Sequence, residues 1–513
     1  MDVQSVAGHL LPPGSVFGFL SGQRDQLFPD VMFADLFASG RGRPSVPASV
    51  VATVLVLQAL HGLSDREAAE AVTFDLRWKA ACGFAVDAAA FHPTTLTYWR
   101  RRLAASVAPN RIFDAVREVV AETGVLAGRT RRALDSTILD DAVATQDTVT
   151  QLVAAVRRVA RVVPGAGELV ERVATASGHD YARAGKPQIA WDDTDARAQL
   201  VDGLVRDASA VLAALSVEQA PLQGPAADAV GLLGLVAGQD VEWVPDGDSG
   251  AGTWRIAQRV APDRMVSTVD PDARHAHKTT ARRQDGFKAH IVIEPDTGLV
   301  TACAITKASG QGSGDAEAGI TLLGADTTIA ADQQVTVLGD SAYGTGDMLA
   351  ALHTAGHIAV VKPWPVNPAV AGGFTVDDFI IDTAADTMTC PAGVTRKINR
   401  VRQVNFGVAC RQCPLRERCT RSATGKSMRL REHDALARAH RARAADPGFI
   451  ADYRQHRPMV ERSIAWITRG NRRLRYRGTA ANNAWLHRRA AAINLRRLTN
   501  LGLHRSDKNW ALA

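Results

Sequence analysis

Aromatic residues are scarce in this chain, and long apolar runs are missing from it. Only 5% of the 513 residues are aromatic, although 46% are hydrophobic. That content is sufficient for two to four domains, each with its own core. No uninterrupted apolar stretch reaches about 18 residues, which argues against a membrane-spanning helix. The N-terminus lacks the basic start and apolar centre of a secretion signal, so the sequence predicts a cytoplasmic protein.

Acidic residues are nearly missing from the C-terminal region. Between residues 453 and 506 there are thirteen Arg and a single acid, Glu461. The whole chain has a formal net charge of +7 and a pI of about 9.2. Further arginines cluster at 100–102 and 129–132. Clustered positive charge of this kind predicts a polyanionic partner.

The apolar pattern predicts helices in the first half of the chain and mixed elements in the second. Residues 47–60 are apolar on nearly all sides, which is typical of a buried helix. Ser64 and Glu67 have the spacing of a capping box that opens a second helix at 65–72. Further helices are predicted over 91–103, in several segments of 148–241, and over 315–323 and 346–355. Strands are predicted at 132–139, 287–293, 299–306, 335–338 and 358–361, which gives an α/β fold.

Three acids stand out because two follow apolar runs and the third lies among arginines. Asp135 lies on the first predicted strand, Asp340 follows the strand at 335–338, and Glu461 is the lone C-terminal acid. Three converging carboxylates beside a nucleic-acid surface would form a divalent-metal site for phosphodiester chemistry. Other interpretations remain open: Glu461 as a surface ion pair, Asp340 as a turn or capping acid, and Asp140, Asp141 or Asp147 as rival ligands.

Four of the six cysteines lie within thirty residues of one another. Cys390 precedes Cys410, Cys413 and Cys419, which form a C-x2-C-x5-C pattern. In a reducing compartment this density favours a structural zinc site over disulfides.

A second polar cluster carries Asp270, Asp272, His275 and His277, and it is interpreted as a solvated loop instead of a zinc site. Nearby cations could contact DNA phosphates: Lys278, Arg282 and Lys288.

Several motifs together resemble those of bacterial insertion-sequence transposases of the DDE class. They are FHPTTLTYWRRRL at 91–103, LDSTILDDAVATQDT at 134–148, DGFKAHI at 285–291, VLGDSAYG at 337–344, and RPMVERSIAWITRGNRRLRYRG at 457–478. The Cys-rich segment and the helical N-terminal region also match the family's pattern. The resemblance implies an RNase H-like catalytic core, with the two Asp and the Glu of the family falling on Asp135, Asp340 and Glu461.

The resemblance also implies how the chain is divided. An N-terminal helical DNA-binding domain would be followed by the first core strand with Asp135, a helical insertion, the rest of the core, a Cys-rich insertion, and the Glu461 helix with basic C-terminal helices. The corresponding ranges are 1–128, 129–142, 143–265, 266–365, 366–445 and 446–513.

The family has an accessory signature around its Glu, with an Arg four residues earlier, a Tyr before that, and a Lys seven residues later. Arg457 matches the Arg, and Tyr453 lies one residue away from the family's Tyr. At the Lys position this chain has Thr468, with Arg469 adjacent. Tyr453, Arg457 and Glu461 would share one helical face, and Pro458 leaves open whether the helix begins there or runs through.

The function implied is DNA transposition, in which the ends of the element are cleaved and joined to target DNA. The resemblance implies two Mg²⁺ (or Mn²⁺) ions per site. The partners would be double-stranded terminal repeats and target DNA, with a homodimer in a nucleoid-associated complex and no membrane. Two alternatives are an inactive, zinc-containing DNA-binding protein of transposase origin and a metal-dependent nuclease without strand transfer. The predicted DNA-binding residues are Arg100, Arg101, Lys288, Tyr453, Arg457, Arg469, Arg472, Arg473, Arg475 and Arg477.

Overall fold

The computed structural model describes residues 1–12, 14–37, 46–218, 221–247, 251–259, 261, 263–279, 282–470 and 472–513. The chain begins with a group of helices. They are α1 (Val3–Ala7), α2 (Val16–Leu27), α3 (Ala48–His61), α4 (Asp65–Phe74), α5 (Leu76–Cys82), α6 (Thr94–Ala105) and α7 (Arg111–Glu122).

The predicted helices α3 and α4 are confirmed. In α3 all residues from Ala48 to Ala59 are buried, and Gly62 ends the helix in the left-handed conformation at φ +69°. The capping box of α4 is present: the Ser64 hydroxyl accepts from the Glu67 amide at 3.2 Å, and the Glu67 carboxylate accepts from the Ser64 amide at 2.6 Å. No single helix in the described part of the chain is long and apolar enough to cross a membrane, although α3 and α4 pass that test as a pair bent by 110°.

A long strand, β1 (Arg131–Asp140), leads from the N-terminal helices into a helical insertion with its own hydrophobic core. The apolar side chains that recur at helical spacing in this segment form the core of the insertion, as the periodicity predicts. Its elements are α8 (Thr148–Val162), α9 (Ala166–Val173), α10 (Thr194–Glu218), α11 (Gly224–Gln239), β2 (Val241–Pro245) and β3 (Gly252–Ile256).

The chain then completes the main sheet. Its elements are β4 (Arg274–Thr279), β5 (Arg282–Ile293), β6 (Val300–Lys307), α12 (Asp315–Gly324), β7 (Thr336–Gly339), α13 (Gly346–Thr354) and β8 (Ile358–Val361). The predicted strands and helices of this region are confirmed. The prediction of a loop through 270–278 is wrong from residue 274 on, because β4 pairs its backbone with the first residues of β5 despite its polar side chains.

The remaining elements follow the sheet. Short strands build the Cys-rich segment around a small core of its own. The elements are β9 (Ile380–Asp382), β10 (Thr387–Thr389), β11 (Thr395–Lys397), β12 (Gln403–Asn405), α14 (Arg416–Cys419), β13 (Ser427–Arg429), α15 (Asp434–Arg443), α16 (Pro447–Thr468), α17 (Thr479–Asn500), β14 (His504–Ser506) and β15 (Asn509–Ala511).

The main sheet places β1 at its centre. The strand β5 pairs antiparallel with β1 on one side, while β7 pairs parallel with β1 on the other, and β8 extends the sheet beyond β7. The strand β6 pairs antiparallel with the free edge of β5. Gly286 pairs with Asp140 in one ladder and with Arg274 in the other, so β4 continues the same edge as β6.

The two faces of the sheet contribute to different cores, because successive side chains on a strand point to opposite faces. Ala133 of β1 and Ile291 of β5 join the core shared with the N-terminal helices and α17. Their neighbours Leu134 and Val292 join the core beneath α12 and α13. The sheet is therefore covered on both faces, and α16 lies across β1, β7 and β8.

Gly286 is the position where the sheet leaves least room for a side chain. Its φ is +150°, and an added Cβ would lie 2.2 Å from the carbonyl oxygen of Leu139. We expect Gly286→Ala to lower the free energy of unfolding by at least about 2 kcal/mol, measured by urea denaturation. The matched control is Gly231→Ala within α11, where an added Cβ meets nothing within 4 Å. The free energy of unfolding of this control should rise by about 0.5–1 kcal/mol. Equal stability of the two variants would contradict the register of β5 at this point.

Candidate active site

Asp135 lies in the middle of β1, on the face of the sheet that α16 covers. Its carboxylate is largely buried, with 14% of the side chain exposed, and Oδ1 accepts a hydrogen bond from the Ser136 amide at 2.8 Å. Burial raises the pKa of Asp135, and the nearby guanidinium of Arg457 opposes that shift.

Asp340 follows β7 directly, and strand register brings it beside Asp135. Ala133 pairs with Leu338 in the parallel ladder between β1 and β7, so a step of two residues along each strand sets Asp135 level with Asp340. Asp340 also caps the short turn at Ser341–Tyr343, where its Oδ1 accepts from the Ala342 amide at 2.9 Å. The capping role considered for this acid is therefore present, and it leaves Oδ2 for a second partner.

Arg457 of α16 joins the two aspartates. Its Nη2 lies 3.2 Å from Oδ1 of Asp135 and 3.8 Å from Oδ2 of Asp340, and its Nη1 donates to the carbonyl of Leu134 at 3.1 Å. Burial opposes the charge of this side chain, but the Asp135 carboxylate outweighs burial and raises the pKa of Arg457. The guanidinium thus compensates the negative charge of both carboxylates from a position between them.

Glu461 lies one helical turn after Arg457, and its side chain is exposed. The helix α16 runs unbroken from Pro447 to Thr468, so Pro458 lies inside it and does not start it. The predicted i, i+4, i+8 spacing of Tyr453, Arg457 and Glu461 on one helical face is therefore confirmed. Burial raises the pKa of the Tyr453 hydroxyl, Arg457 opposes that shift, and the charges of Asp340 and Glu461 add to it.

The three acids do not surround a single point. Nowhere in the described ranges do three or more His, Cys, Asp or Glu side chains stand close enough together to hold a metal ion. The geometry instead shows a pair of aspartates bridged by an arginine, with Glu461 one turn further along the same face of α16 and exposed.

The rival acids have other partners. Asp140 accepts from the Gln284 amide at 2.8 Å, and Asp147 caps α8 by accepting from the Thr150 amide at 2.7 Å. Asp141 is buried, and one of its oxygens has no hydrogen-bond partner. Burial raises the pKa of Asp141 to about 6, and the carboxylates of Asp285 and Asp270 contribute to that rise.

Several predicted DNA-binding residues are held by protein partners. Arg100 forms an ion pair with Asp65, and Lys288 lies 3.4 Å from Asp315. Arg472 donates to the Thr137 hydroxyl and to the Ile138 carbonyl, both at 3.3 Å, so it fastens the segment after α16 to β1. Other candidates are exposed, although Arg473 and Arg475 also donate to the carbonyls of Asp141 and Gly62. The exposed candidates are Arg101, Arg469, Arg473, Arg475 and Arg477. Contact of any of these residues with DNA stays a prediction.

Thr468 stands where the accessory Lys was sought, and it ends α16 by donating to the Ile464 carbonyl at 3.1 Å. Its neighbour Arg469 stacks on the ring of Trp466 at 4.6 Å. Neither contact reaches the aspartate pair, and a role for Arg469 in place of the Lys stays a prediction.

Two arginines of α17 were not selected from the sequence. Arg489 is only 2% exposed. Its Nη1 donates to the carbonyls of Ala59 and Leu60 at the end of α3, and its Nη2 donates to those of Trp466 and Arg469 at the end of α16. Arg488 is also buried and lies next to it. The only sequence signal was a pair of arginines in a long helix, which is common on solvated faces.

The four clustered cysteines line one cavity of about 20 Å³, which is room for roughly one water molecule. Cys410 and Cys419 are buried, whereas Cys390 and Cys413 are half-buried. Burial raises the pKa of the Cys419 thiol, which the nearby Lys426 opposes. The four cysteines thus share one cavity, although they form no group that could hold a metal ion in the described part of the chain, and zinc binding stays a prediction.

The acids of the polar cluster at 270–277 hold local structure, and Asp270 is buried, so the interpretation of a solvated loop is wrong for it. Asp270 accepts from the Gly478 amide at 3.0 Å and Asp272 accepts from the Thr479 amide at 2.9 Å, so both hold the start of α17. His275 pairs with Asp285. The side chains of His277, Lys278 and Arg282 lie outside the described part of the chain.

Two protein-family models match the chain. Residues 19–102 match a model described as Transposase domain (DUF772), and residues 388–499 match one described as Transposase DDE domain. The first match runs from within α2 to within α6. The second begins within β10 and includes the four clustered cysteines, α16 with Arg457 and Glu461, and most of α17. No curated protein and no solved structure matches the chain.

Asp141 makes the free energy of unfolding of the protein depend on pH. Its raised pKa means that the native state keeps this proton up to about pH 6, whereas the unfolded chain releases it near pH 4 (about 3.9). The contribution of protonated Asp141 to the free energy of unfolding is therefore complete below about pH 4, and it is lost as the pH rises to about 6. We expect the wild type to lose stability relative to Asp141→Asn across this interval in urea unfolding at fixed salt. The exposed Asp87→Asn serves as control, and parallel pH profiles for all three proteins would contradict the assignment.

Proposed function

The matched models indicate an insertion-sequence transposase of the DDE class, and on that premise we propose that this chain cleaves the ends of a DNA element and joins them to target DNA. The observation that carries the proposal is the meeting of Asp135 and Asp340 from separate strands at one guanidinium of the helix that bears Glu461. The proposal is supported by the register that sets Asp135 beside Asp340 and by the contact of Arg457 with both.

We propose further that the sheet is an RNase H-like core. Its support is the order β6, β5, β1, β7, β8, in which β5 and β1 are antiparallel while β1, β7 and β8 are parallel. This order puts the first acid on the central strand and the second at the end of the adjoining parallel strand, where open α/β sheets place ligands.

Asp135, Asp340 and Glu461 are the residues that would hold the divalent ions. The donor set fits Mg²⁺ or Mn²⁺, since carboxylate oxygens are the ligands these ions prefer. The contact of one cationic guanidinium with both aspartates also shows that positive charge is accommodated between them. Two bound ions would supply an activated water and stabilise the charge on the leaving oxygen.

The protein's own groups orient the reacting strand. In the first step, the oxygen of water forms a bond to phosphorus and the bond to the 3′ oxygen of the element end breaks, leaving a 3′-hydroxyl. In the second step, that 3′ oxygen attacks a phosphorus of the target and displaces a target 3′-hydroxyl, so neither step needs ATP or a covalent protein intermediate. Arg457 keeps the two aspartates at a fixed separation, and the exposed arginines after α16 would hold phosphates.

Double-stranded DNA is the partner that this proposal requires. The segment from Arg469 to Arg477 lies beside β1 through the contacts of Arg472, so phosphates bound there would be close to Asp135. Transposition brings together two element ends, and we propose a homodimer that holds one end on each copy of the chain.

Metal-dependent cleavage tests the catalytic assignment. The substrates are labelled duplexes carrying the DNA that flanks the gene on each side, incubated with Mg²⁺ or Mn²⁺ and a plasmid target. We expect Asp135→Asn, Asp340→Asn and Glu461→Gln each to reduce cleavage by roughly three orders of magnitude or more. The matched control is Asp147→Asn, since Asp147 only caps α8 and pairs with Lys186. All four variants should retain DNA binding in an anisotropy assay.

The outcomes separate the candidate activities. A variant that cleaves at the wild-type rate would remove its residue from the site. Cleavage without joining of a precut 3′-hydroxyl end to the plasmid would identify a nuclease, and DNA binding without any cleavage would identify a binding protein.

The cysteine cavity supports a structural Zn²⁺ held by Cys390, Cys410, Cys413 and Cys419, because four thiols are the donor set of a closed zinc site. We expect purified protein to contain about one zinc per chain by mass spectrometry of the metal, and Cys413→Ser to lose it and to unfold at a lower temperature. The control is Cys303→Ser, because the buried Cys303 lies in β6, outside the cluster of four cysteines. This variant should keep the metal. Absence of zinc from the wild type would overturn this part of the proposal.

A further inference from the structure

Five arginines line one pocket between the turn joining α3 to α4 and the segment that connects α16 to α17. The pocket has a volume of about 30 Å³ and is partly open. Its other walls include Gly62, Leu63 and Tyr476, and none of the described lining residues is acidic. The arginines are Arg469, Arg473, Arg475, Arg488 and Arg489.

The inner arginines are buried without a carboxylate partner in the pocket wall. The Nη atoms of Arg489 are bound to four backbone carbonyls, but its buried Nε has no hydrogen-bond partner. Burial lowers the pKa of Arg488 to about 10 and likewise that of Arg489 to about 10, and the charge of Arg469 contributes to the second shift. Buried like charges are costly unless an anion compensates them.

The outer arginines stand at the rim. Arg475 is exposed, and its Nη2 donates to the Gly62 carbonyl at 2.8 Å, which fixes the guanidinium over the turn between α3 and α4. Three acids lie around the pocket: Asp65 pairs with Arg100, Glu67 lies 3.9 Å from Arg475, and Asp141 accepts from Arg473 through its backbone carbonyl at 3.0 Å. None of these acids is among the described residues that line the pocket.

We propose that this pocket is a phosphate-binding site and that, in the working protein, it takes a backbone phosphate of DNA. Guanidinium groups match the oxygens of a phosphate by paired hydrogen bonds, and the pocket is large enough for oxygens but not for a nucleotide. The site joins both matched regions, since Gly62 belongs to the first and Arg489 to the second. The DNA source rests on the proposed function, whereas the phosphate site does not.

Inorganic phosphate alone tests the site without DNA. Thermal unfolding of the full chain is followed while sodium phosphate replaces sodium chloride at constant ionic strength. The wild type should be stabilised by phosphate, and Arg475→Ala should bind phosphate about tenfold more weakly. Arg475→Lys, which keeps the charge but not the paired donors, should fall between them. The control is Arg197→Ala, an exposed arginine of α10 in the helical insertion, which should respond as the wild type does.

Two results would overturn the site: no stabilisation of the wild type by phosphate beyond that by chloride, or equal responses of Arg475→Ala and Arg197→Ala. Because Arg475 is exposed at the rim, the variant is expected to fold, and its unfolding transition in chloride verifies this.

DNA binding then tests the source of the phosphate. Anisotropy of a labelled duplex is measured at several salt concentrations, and the slope of log Kd against log salt should fall by about one for Arg475→Ala and not for Arg197→Ala. An unchanged slope with a lost phosphate response would mean that the site takes free phosphate, which overturns the DNA assignment and supports the site itself. Failure of the wild type to cleave DNA leaves both readouts intact, so the two proposals can fail separately.

Discussion

The packing of α16 against the main sheet depends on one contact, the buried guanidinium of Arg457 between Asp135 and Asp340. Each aspartate would repel the other across the adjacent strands, and a buried carboxylate without a counter-charge is unfavourable. Arg457 supplies that charge and also binds the carbonyl of Leu134, so it fixes α16 against the backbone of β1. The placement of Glu461 follows from this, because it lies one turn further along the same helix.

A second buried arginine, Arg489, connects α16 to the N-terminal helices. Arg489 binds the last carbonyls of both α3 and α16, which are groups that a helix cannot satisfy by itself. One side chain of α17 thereby couples the N-terminal helices to the far end of the Glu461 helix. The helix α16 is thus fixed to the strands near Arg457 and to the N-terminal helices at its C-terminal end.

The sequence predicts the local features of this arrangement, and it does not reveal the contacts between residues that are far apart in the chain. Apolar periodicity and the Ser64 capping box were sufficient for α3 and α4, and apolar runs located β1 and β7 with their aspartates. The strand β4 was missed because its pairing is made by backbone groups, which polar side chains do not reveal. Arg100 and Lys288 appeared in the sequence as unpaired cations, since their partners Asp65 and Asp315 are recognised only in three dimensions. The same reason hid Arg489, whose partners in α3 lie more than four hundred residues away.

The contact between α3 and α17 has a consequence for synthesis of the chain. Residues 59 and 489 are separated by 430 positions, and their helices share one hydrophobic core. The N-terminal helices therefore emerge from the ribosome well before the helix that completes their packing, and closing so long a loop is slow. Until α17 is made, the apolar surface of α3 that packs against α17 stays uncovered, so this core is completed only at the end of synthesis.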